Sequence, residues 1–132
     1  MNASDIMTED PMTADADTTV RQAIEIIQTL EVRHLPVVDQ GNQLIGMLSD
    51  RDMRGTGASF TALEGQLGGE SKVTTVMNAD VVAVHPETEL SEMIDLMLEN
   101  KVGALPVVNP TTNELLGIVS YVDLLRTLRE AS

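Results

Sequence analysis

Apolar positions recur along the chain in two alternating rhythms. Val20, Ala23, Ile24, Ile27 and Leu30 follow helical spacing, as do Leu90, Met93, Ile94 and Met97. Each run predicts an amphipathic helix, opening at Thr18 and at Thr88, where a threonine can cap the first turn. Short apolar strands follow each helix. Leu35–Val38 pairs with Leu44–Leu48 through the turn Asp39-Gln40-Gly41-Asn42, and the longer Asn109-Pro110-Thr111-Thr112-Asn113 does the same job later in the chain. Extended stretches, Met12–Ala14 and Val81–Val84, precede the helices. A second helix is expected after Ser49 and after Ser120, the latter running through Leu124, Leu125 and Leu128. The order is β-α-β-β-α, twice. A strand, a crossover helix and a strand make a parallel pair, to which the hairpin adds an antiparallel third strand. The expected fold class is therefore α/β (α+β).

The two halves match residue by residue. At an offset of 70, Ile6-Met7-Thr8 falls on Val76-Met77-Asn78, Thr18 on Thr88, and Leu35-Pro36-Val37-Val38 on Leu105-Pro106-Val107-Val108. One inserted residue after Asn109 makes the offset 71, and Leu44–Ser49 then matches Leu115–Ser120, with Asp52 on Asp123. Residues 1–57 form one copy, 73–132 the other, and 58–72 a connector. Gly55, Gly57, Gly65, Gly68 and Gly69 mark Gly55–Ser71 as a loop with at most one helical turn near Thr61–Gln66. Three strands and two helices bury too little alone, so the copies are expected to pack as one unit.

Composition narrows the function. With 8 basic and 21 acidic residues the net charge is −13, which opposes the phosphate attraction that nucleic-acid binders use. Phe60 and Tyr121 are the only aromatics, so no base-stacking platform exists. The chain has no cysteine, hence no thiol nucleophile or zinc ribbon. Its apolar runs are far short of a membrane span, and its start lacks a secretory pattern. A cytoplasmic location is expected, with neither nucleic acid nor membrane as partner. No Walker loop, Gly-x-Gly-x-x-Gly or calcium loop occurs, and Asp50-Arg51-Asp52 has no nucleophile or metal set beside it. Catalysis is not expected.

Both copies end their last strand in one phrase, Gly46-Met47-Leu48-Ser49-Asp50-Arg51-Asp52 and Gly117-Ile118-Val119-Ser120-Tyr121-Val122-Asp123. Ser-x-x-Asp before a helix is an ordinary capping box. The same geometry offers an anion free N–H groups, a serine donor, and a carboxylate that can accept from a ribose. Together the phrase, the Leu-Pro-Val-Val strand and the repeat order resemble a tandem pair of cystathionine β-synthase (CBS) domains, a Bateman module, over residues 5–54 and 75–128. The resemblance implies two pseudo-twofold copies with a cleft between their sheets for adenosine-containing ligands. It assigns phosphate and ribose contacts to Ser49 and Asp52 in the first copy and to Ser120 and Asp123 in the second. It also implies a basic phosphate contact at His34 and an adenine contact at Thr13, where the second copy has Ala83.

Positive charge gathers around the first motif, at Arg33, His34, Arg51 and Arg54; the second has Gly103, Ala104, Val122 and Leu125. A phosphorylated ligand is therefore expected in the first copy, held in part by His34 and Arg51 against the acidic background. The reading is a non-catalytic sensor with no obligatory cofactor. It takes an adenine nucleotide, with or without Mg2+, or S-adenosylmethionine, and signals to an effector protein. Ile26, Leu96 and Leu98 widen the apolar arc of the helices, which fits either burial inside the pair or a homodimer, and a homodimer is the expected partner. The alternative is a constitutive dimerisation scaffold whose Ser-x-x-Asp phrases only cap helices.

Overall fold

A computed structural model describes residues 1–50 and 71–131. Their elements are α1 (Ala3–Ile6), β1 (Thr8–Glu9), β2 (Ala14–Asp15), α2 (Val20–Leu30), β3 (His34–Val38), β4 (Leu44–Ser49), a 3-10 turn (Val73–Thr75), α3 (Leu90–Asn100), β5 (Ala104–Val108), β6 (Leu115–Ser120) and α4 (Tyr121–Ala131). The expected connector, its helical turn and most of the helix after Ser49 lie outside the described residues.

The chain forms two compact units, and each takes its leader from the other repeat. One unit is Met12–Val81; the other joins Met1–Pro11 to Val82–Ser132. In the first, β2 runs parallel to β3, and β3 is antiparallel to β4 with Leu35 opposite Leu48. In the second, β5 and β6 repeat this hairpin with Leu105 opposite Val119, and Val84 makes the parallel contact to Val107. The mixed sheet expected from the β-α-β-β-α order is present in both.

The leaders add a further edge that the sequence reading did not anticipate. β1 pairs antiparallel with β6, Thr8 opposite Ile118. At the matching place in the other unit, Asn78 and Met47 exchange two backbone hydrogen bonds of 2.9 Å. Glycine permits this approach. A Cβ on Gly46 would lie 2.5 Å from the Met77 sulfur, and one on Gly117 would lie 2.7 Å from both the Met7 sulfur and the Thr8 carbonyl oxygen. The glycine that begins each Ser-x-x-Asp phrase thus makes room for a methionine of the crossing leader.

The leaders also satisfy helix starts. The Val20 N–H donates to Ser71 O (2.7 Å) and Val73 N–H to Thr18 O (2.9 Å); correspondingly, Leu90 N–H donates to Met1 O (3.0 Å) and Ala3 N–H to Thr88 O (2.9 Å). The expected caps shift by one residue. Thr19 caps α2 in a reciprocal box with Gln22, and Glu89 occupies the equivalent place on α3 without a side-chain cap bond. Thr18 and Thr88 instead close the preceding turns: their hydroxyls accept from the N–H groups of Asp15 and His85, each at 3.0 Å.

Both hairpin turns rest on their first side chain. Asp39 Oδ1 accepts from the N–H groups of Gly41 and Gln43 at 2.9 Å. Asn109 Oδ1 accepts from Thr111 N–H at 2.8 Å. Asn42 and Asn113 take left-handed backbone (φ 60° and 65°), which asparagine tolerates. The cores are built on the Leu-Pro-Val-Val strands, with Leu35, Val37, Leu105 and Val107 fully buried. Ala23 joins Leu35 and Leu48 in one unit; Met93, Met97 and Leu124 join Leu105 and Val119 in the other. Ile26 and Leu96 pack against these clusters, whereas Leu30, Leu98, Leu125 and Leu128 stay exposed.

Candidate functional site

The two Ser-x-x-Asp phrases occupy equivalent sheet ends. β4 ends at Ser49, which pairs across the hairpin with His34 at the start of β3. β6 ends at Ser120, paired with Ala104 at the start of β5. Both junctions are held alike: Asp50 N–H donates to Arg33 O (3.1 Å), and Tyr121 N–H donates to Gly103 O (2.9 Å). In each copy the serine therefore holds the last strand position, and the residue after it is anchored by a backbone hydrogen bond.

In the second copy the complete motif is described. Asp123 Oδ2 accepts from the Ser120 N–H (2.9 Å) and from its hydroxyl (3.0 Å), while Asp123 N–H donates to Ser120 Oγ (3.2 Å). This is a reciprocal capping box. Arg126, one turn along α4, brings its guanidinium to 3.5 Å from Asp123 Oδ1. The Asp123 side chain is 15% exposed, with Oδ2 held by Ser120 and Oδ1 facing the Arg126 guanidinium. Ser120 is half-buried and α4 begins directly after it.

In the first copy Ser49 is buried and His34 half-buried beside it. Thr13 is half-buried and lies one position before Ala14, the residue of β2 that pairs with Val37. Register thus sets Ser49 opposite His34, while Thr13 lies on the other flank of β3, nearer Val37. Arg51 and Asp52 fall outside the described residues, as does Arg54. The second copy places Ala83, Ala104 and Ser120 at the corresponding positions, without the histidine.

A cavity of about 730 Å³ lies at the other end of β3, lined by Asp15, Asp17, Thr18, Gln22 and Glu25 among others. Its carboxylates repel a phosphate, so it is a poor rival to the serine end. Lys72 Nζ bonds Asp17 Oδ1 at 2.9 Å at its rim, both side chains exposed. This bond, with the attraction of opposite charges, lowers the Asp17 pKa and raises that of Lys72. Among the described residues no group of three or more His, Cys, Asp or Glu side chains is arranged to hold a metal ion. None of the described helices is long and apolar enough to cross a membrane.

The glycine–methionine contacts were the functional neighbourhood's missed feature. Their signal was present: Met7 and Met77 repeat, as do Gly46 and Gly117.

Comparison with known proteins agrees with this geometry. The CBS domain family matches residues 3–57 and 73–130. The chain is 34% identical over 124 residues to an inosine-5'-monophosphate dehydrogenase of Methanocaldococcus jannaschii, covering 94% of this chain and 23% of that protein. It is 33% identical over 123 residues to the CBS domain-containing protein YhcV of Bacillus subtilis, covering 93% and 82%. Relatives therefore include both CBS regions of enzymes and CBS-domain proteins of similar length. Among solved structures, an acetoin utilization protein (AcuB) from Vibrio cholerae superposes with TM-score 0.84 at 31% identity, over 99% of this chain and 93% of that one. CBSX2, solved in complex with AMP, gives 0.83 at 26% identity, over 98% and 97%. The CBS pair of MJ0100, solved with 5'-methylthioadenosine and S-adenosyl-L-methionine, shares the fold at TM-score 0.82 and 20% identity, over 100% and 98%. With two matched domains spanning nearly all of its length, the chain belongs to the CBS domain family as a tandem pair, the Bateman module.

Proposed function

We propose that this protein is a non-catalytic sensor of adenosine-containing ligands, held at the Ser-x-x-Asp sheet ends. The carrying observation is the arrangement at Ser120 and Asp123: a serine hydroxyl and a partly exposed aspartate fixed to each other at the mouth of a helix. Helix N–H groups and a hydroxyl suit a phosphate, and a carboxylate accepts from both ribose hydroxyls. The AMP complex of CBSX2, a relative at 26% identity, supports the ligand class. In the first copy Ser49 and Asp52 take the same roles, with Thr13 near the base and His34 and Arg51 at the phosphate. His34 stands opposite Ser49, where the other copy has Ala104. The first copy is therefore the site for a phosphorylated ligand.

The ligand acts by binding one conformational state more tightly than another, and a partner protein reads that state. Two copies of the chain associate as a homodimer in this reading. The completeness of the Ser120–Asp123 cap favours a second reading, a scaffold in which the phrase does no more than start a helix.

A thermal-shift series with AMP, ADP, ATP and S-adenosylmethionine, with and without Mg2+, separates the two. Ligand at a hundred times its Kd stabilises by about 2.7 kcal/mol, a rise of several degrees in a protein of this size. The shift should vanish in Asp123→Ala or Asp52→Ala, according to the site filled. Cap loss alone lowers stability by roughly 1 kcal/mol and leaves a ligand shift intact. A flat response to every compound establishes the scaffold instead.

A further inference from the structure

Sulfur in this chain is carried by methionine alone: there are eight methionines and no cysteine. Met53 lies outside the described residues, and burial sorts the other seven into three classes. Met1 and Met12 are 65% and 49% exposed, so an oxidant reaches them, but their side chains face solvent. Met47, Met93 and Met97 are buried, out of an oxidant's reach while the protein is folded. Met7 and Met77 are half-buried, and each packs against the core of its own unit. Among the described residues, these two alone combine access with structural consequence.

The pair occupies the same point of both repeats. The Met7 sulfur and the Thr8 carbonyl oxygen both lie 2.7 Å from where a Gly117 Cβ would stand. Over Gly46 the Met77 sulfur and the Asn78 carbonyl oxygen lie 2.5 and 3.2 Å from the equivalent point. Each thioether is therefore seated on a glycine with a carbonyl oxygen beside it. Neighbouring N–H groups are already engaged: Met7 N–H donates to Ala3 O (2.8 Å), Met77 N–H to Val73 O (2.9 Å) and Asn78 N–H to Met47 O (2.9 Å). An oxygen added to either sulfur meets a carbonyl oxygen that repels it and finds these donors taken.

We propose that Met7 and Met77 are sulfoxidation sites through which a hydroperoxide loosens both leaders. The thioether lone pair attacks the hydroxyl oxygen of the peroxide, the O–O bond breaks, and that oxygen's proton passes to the departing hydroxide or alkoxide. Sulfur gives up two electrons, and the peroxide is reduced to water or an alcohol. Two thiols reverse the step, taking the oxygen off as water and leaving as a disulfide. Oxidation turns an apolar side chain into a polar one where it packs on a core. In one unit it loosens the β1–β6 pairing, and in the other the two bonds between Met47 and Asn78. The inference stands independently of the sensor reading.

Titration of the intact protein with hydrogen peroxide tests this, read by peptide mass spectrometry and thermal melts. Met7 and Met77 are expected to gain one oxygen well before Met47, Met93 and Met97, and Tm to fall by roughly 5 °C as they do. Exchange of the Asn78 amide hydrogen should quicken in step with oxidation of Met77. Methionine sulfoxide reductases acting on both epimers should restore the Tm. Met7→Leu/Met77→Leu keeps the side-chain volume and removes the sulfur, so its Tm should be indifferent to peroxide. Met12→Leu/Met53→Leu should stay as sensitive as the wild type. Should the first variant fail to fold, the order of oxidation and the reductase rescue in the wild type decide. Sulfoxide confined to Met1, Met12 and Met53 overturns the assignment. So does a Tm unmoved by oxidation of Met7 and Met77, or an equal fall in Met7→Leu/Met77→Leu.

Discussion

The two leaders do the same work on the two units, but over different clearances. At Gly46 the nearest obstacle to a side chain is the Met77 sulfur at 2.5 Å, with the Asn78 carbonyl oxygen behind it at 3.2 Å. At Gly117 the Thr8 carbonyl oxygen stands as close as the Met7 sulfur, both at 2.7 Å. A thioether can swing to another rotamer, whereas a backbone carbonyl engaged in a strand cannot. The difference separates a soft contact from a hard one at equivalent positions of one repeat. It also gives each Ser-x-x-Asp phrase a glycine whose reason is packing, independent of any ligand.

The largest effect should come from filling those clearances. Gly117→Ala is expected to destabilise by roughly 3 kcal/mol and Gly46→Ala by about 1 kcal/mol, the range of overpacked cores, measured by urea unfolding. The double variants sharpen the contrast. Met77→Ala should relieve Gly46→Ala, since the sulfur is the obstacle. Met7→Ala should leave most of the Gly117→Ala penalty, because the Thr8 carbonyl remains. Equal penalties, or equal rescue, would refute the soft and hard distinction.

A smaller effect is expected where the sheet ends differ in one side chain. His34 faces Ser49 in one copy and Ala104 faces Ser120 in the other. His34→Ala should weaken AMP at the first site by roughly tenfold, the loss of one hydrogen bond to a charged group, and leave adenosine affinity unchanged. Calorimetric titration with both compounds reads the ratio. If adenosine and AMP weaken together, His34 shapes the pocket without contacting the phosphate.

Much of this architecture was legible in the sequence because it is written locally and twice. The helical spacing from Val20 to Ile27 and the Leu-Pro-Val-Val strands are short-range signals, and the repeat confirmed each reading by its second occurrence. The hairpin turns carry their own cause in Asp39 and Asn109, whose carboxylate or amide oxygen accepts from the turn N–H groups. The α2 cap was misplaced by one residue because Thr18 and Thr19 are chemically alike; Gln22 at the third helical position, reciprocating with Thr19, decides it. The leader exchange was hidden for a different reason. It joins Met7 to Gly117 and Met77 to Gly46, and no periodicity reports a contact at such separation. Likewise the face of α4 could not be assigned, since its spacing permits either Leu124 or Leu125 and Leu128 as the buried side. Of the candidate site, Ser49 stands opposite His34 through hairpin register alone, so the same pairing rules that predicted the sheet placed these two.

The smallest effect concerns the tether between leader and loop in Met12–Val81. Lys72 reaches Asp17 beside the backbone bonds that join Val73 to Thr18 and Val20 to Ser71. Their hydrogen bond and opposite charges depress the Asp17 pKa and raise that of Lys72. The depressed carboxyl contributes stability above its unfolded-state pKa and loses it as pH falls through the folded value. The raised ammonium contributes fully below its unfolded-state pKa, and loses that contribution as pH climbs through the folded value. Both groups are exposed and screened, so the pair adds little at neutral pH and less in high salt. Lys72→Met should therefore change the neutral Tm only slightly, while flattening the acid limb of the Tm profile where Asp17 titrates. A loss at neutral pH as large as that of Gly46→Ala would mean that the side-chain pair, rather than the paired backbone beside it, holds this leader in place.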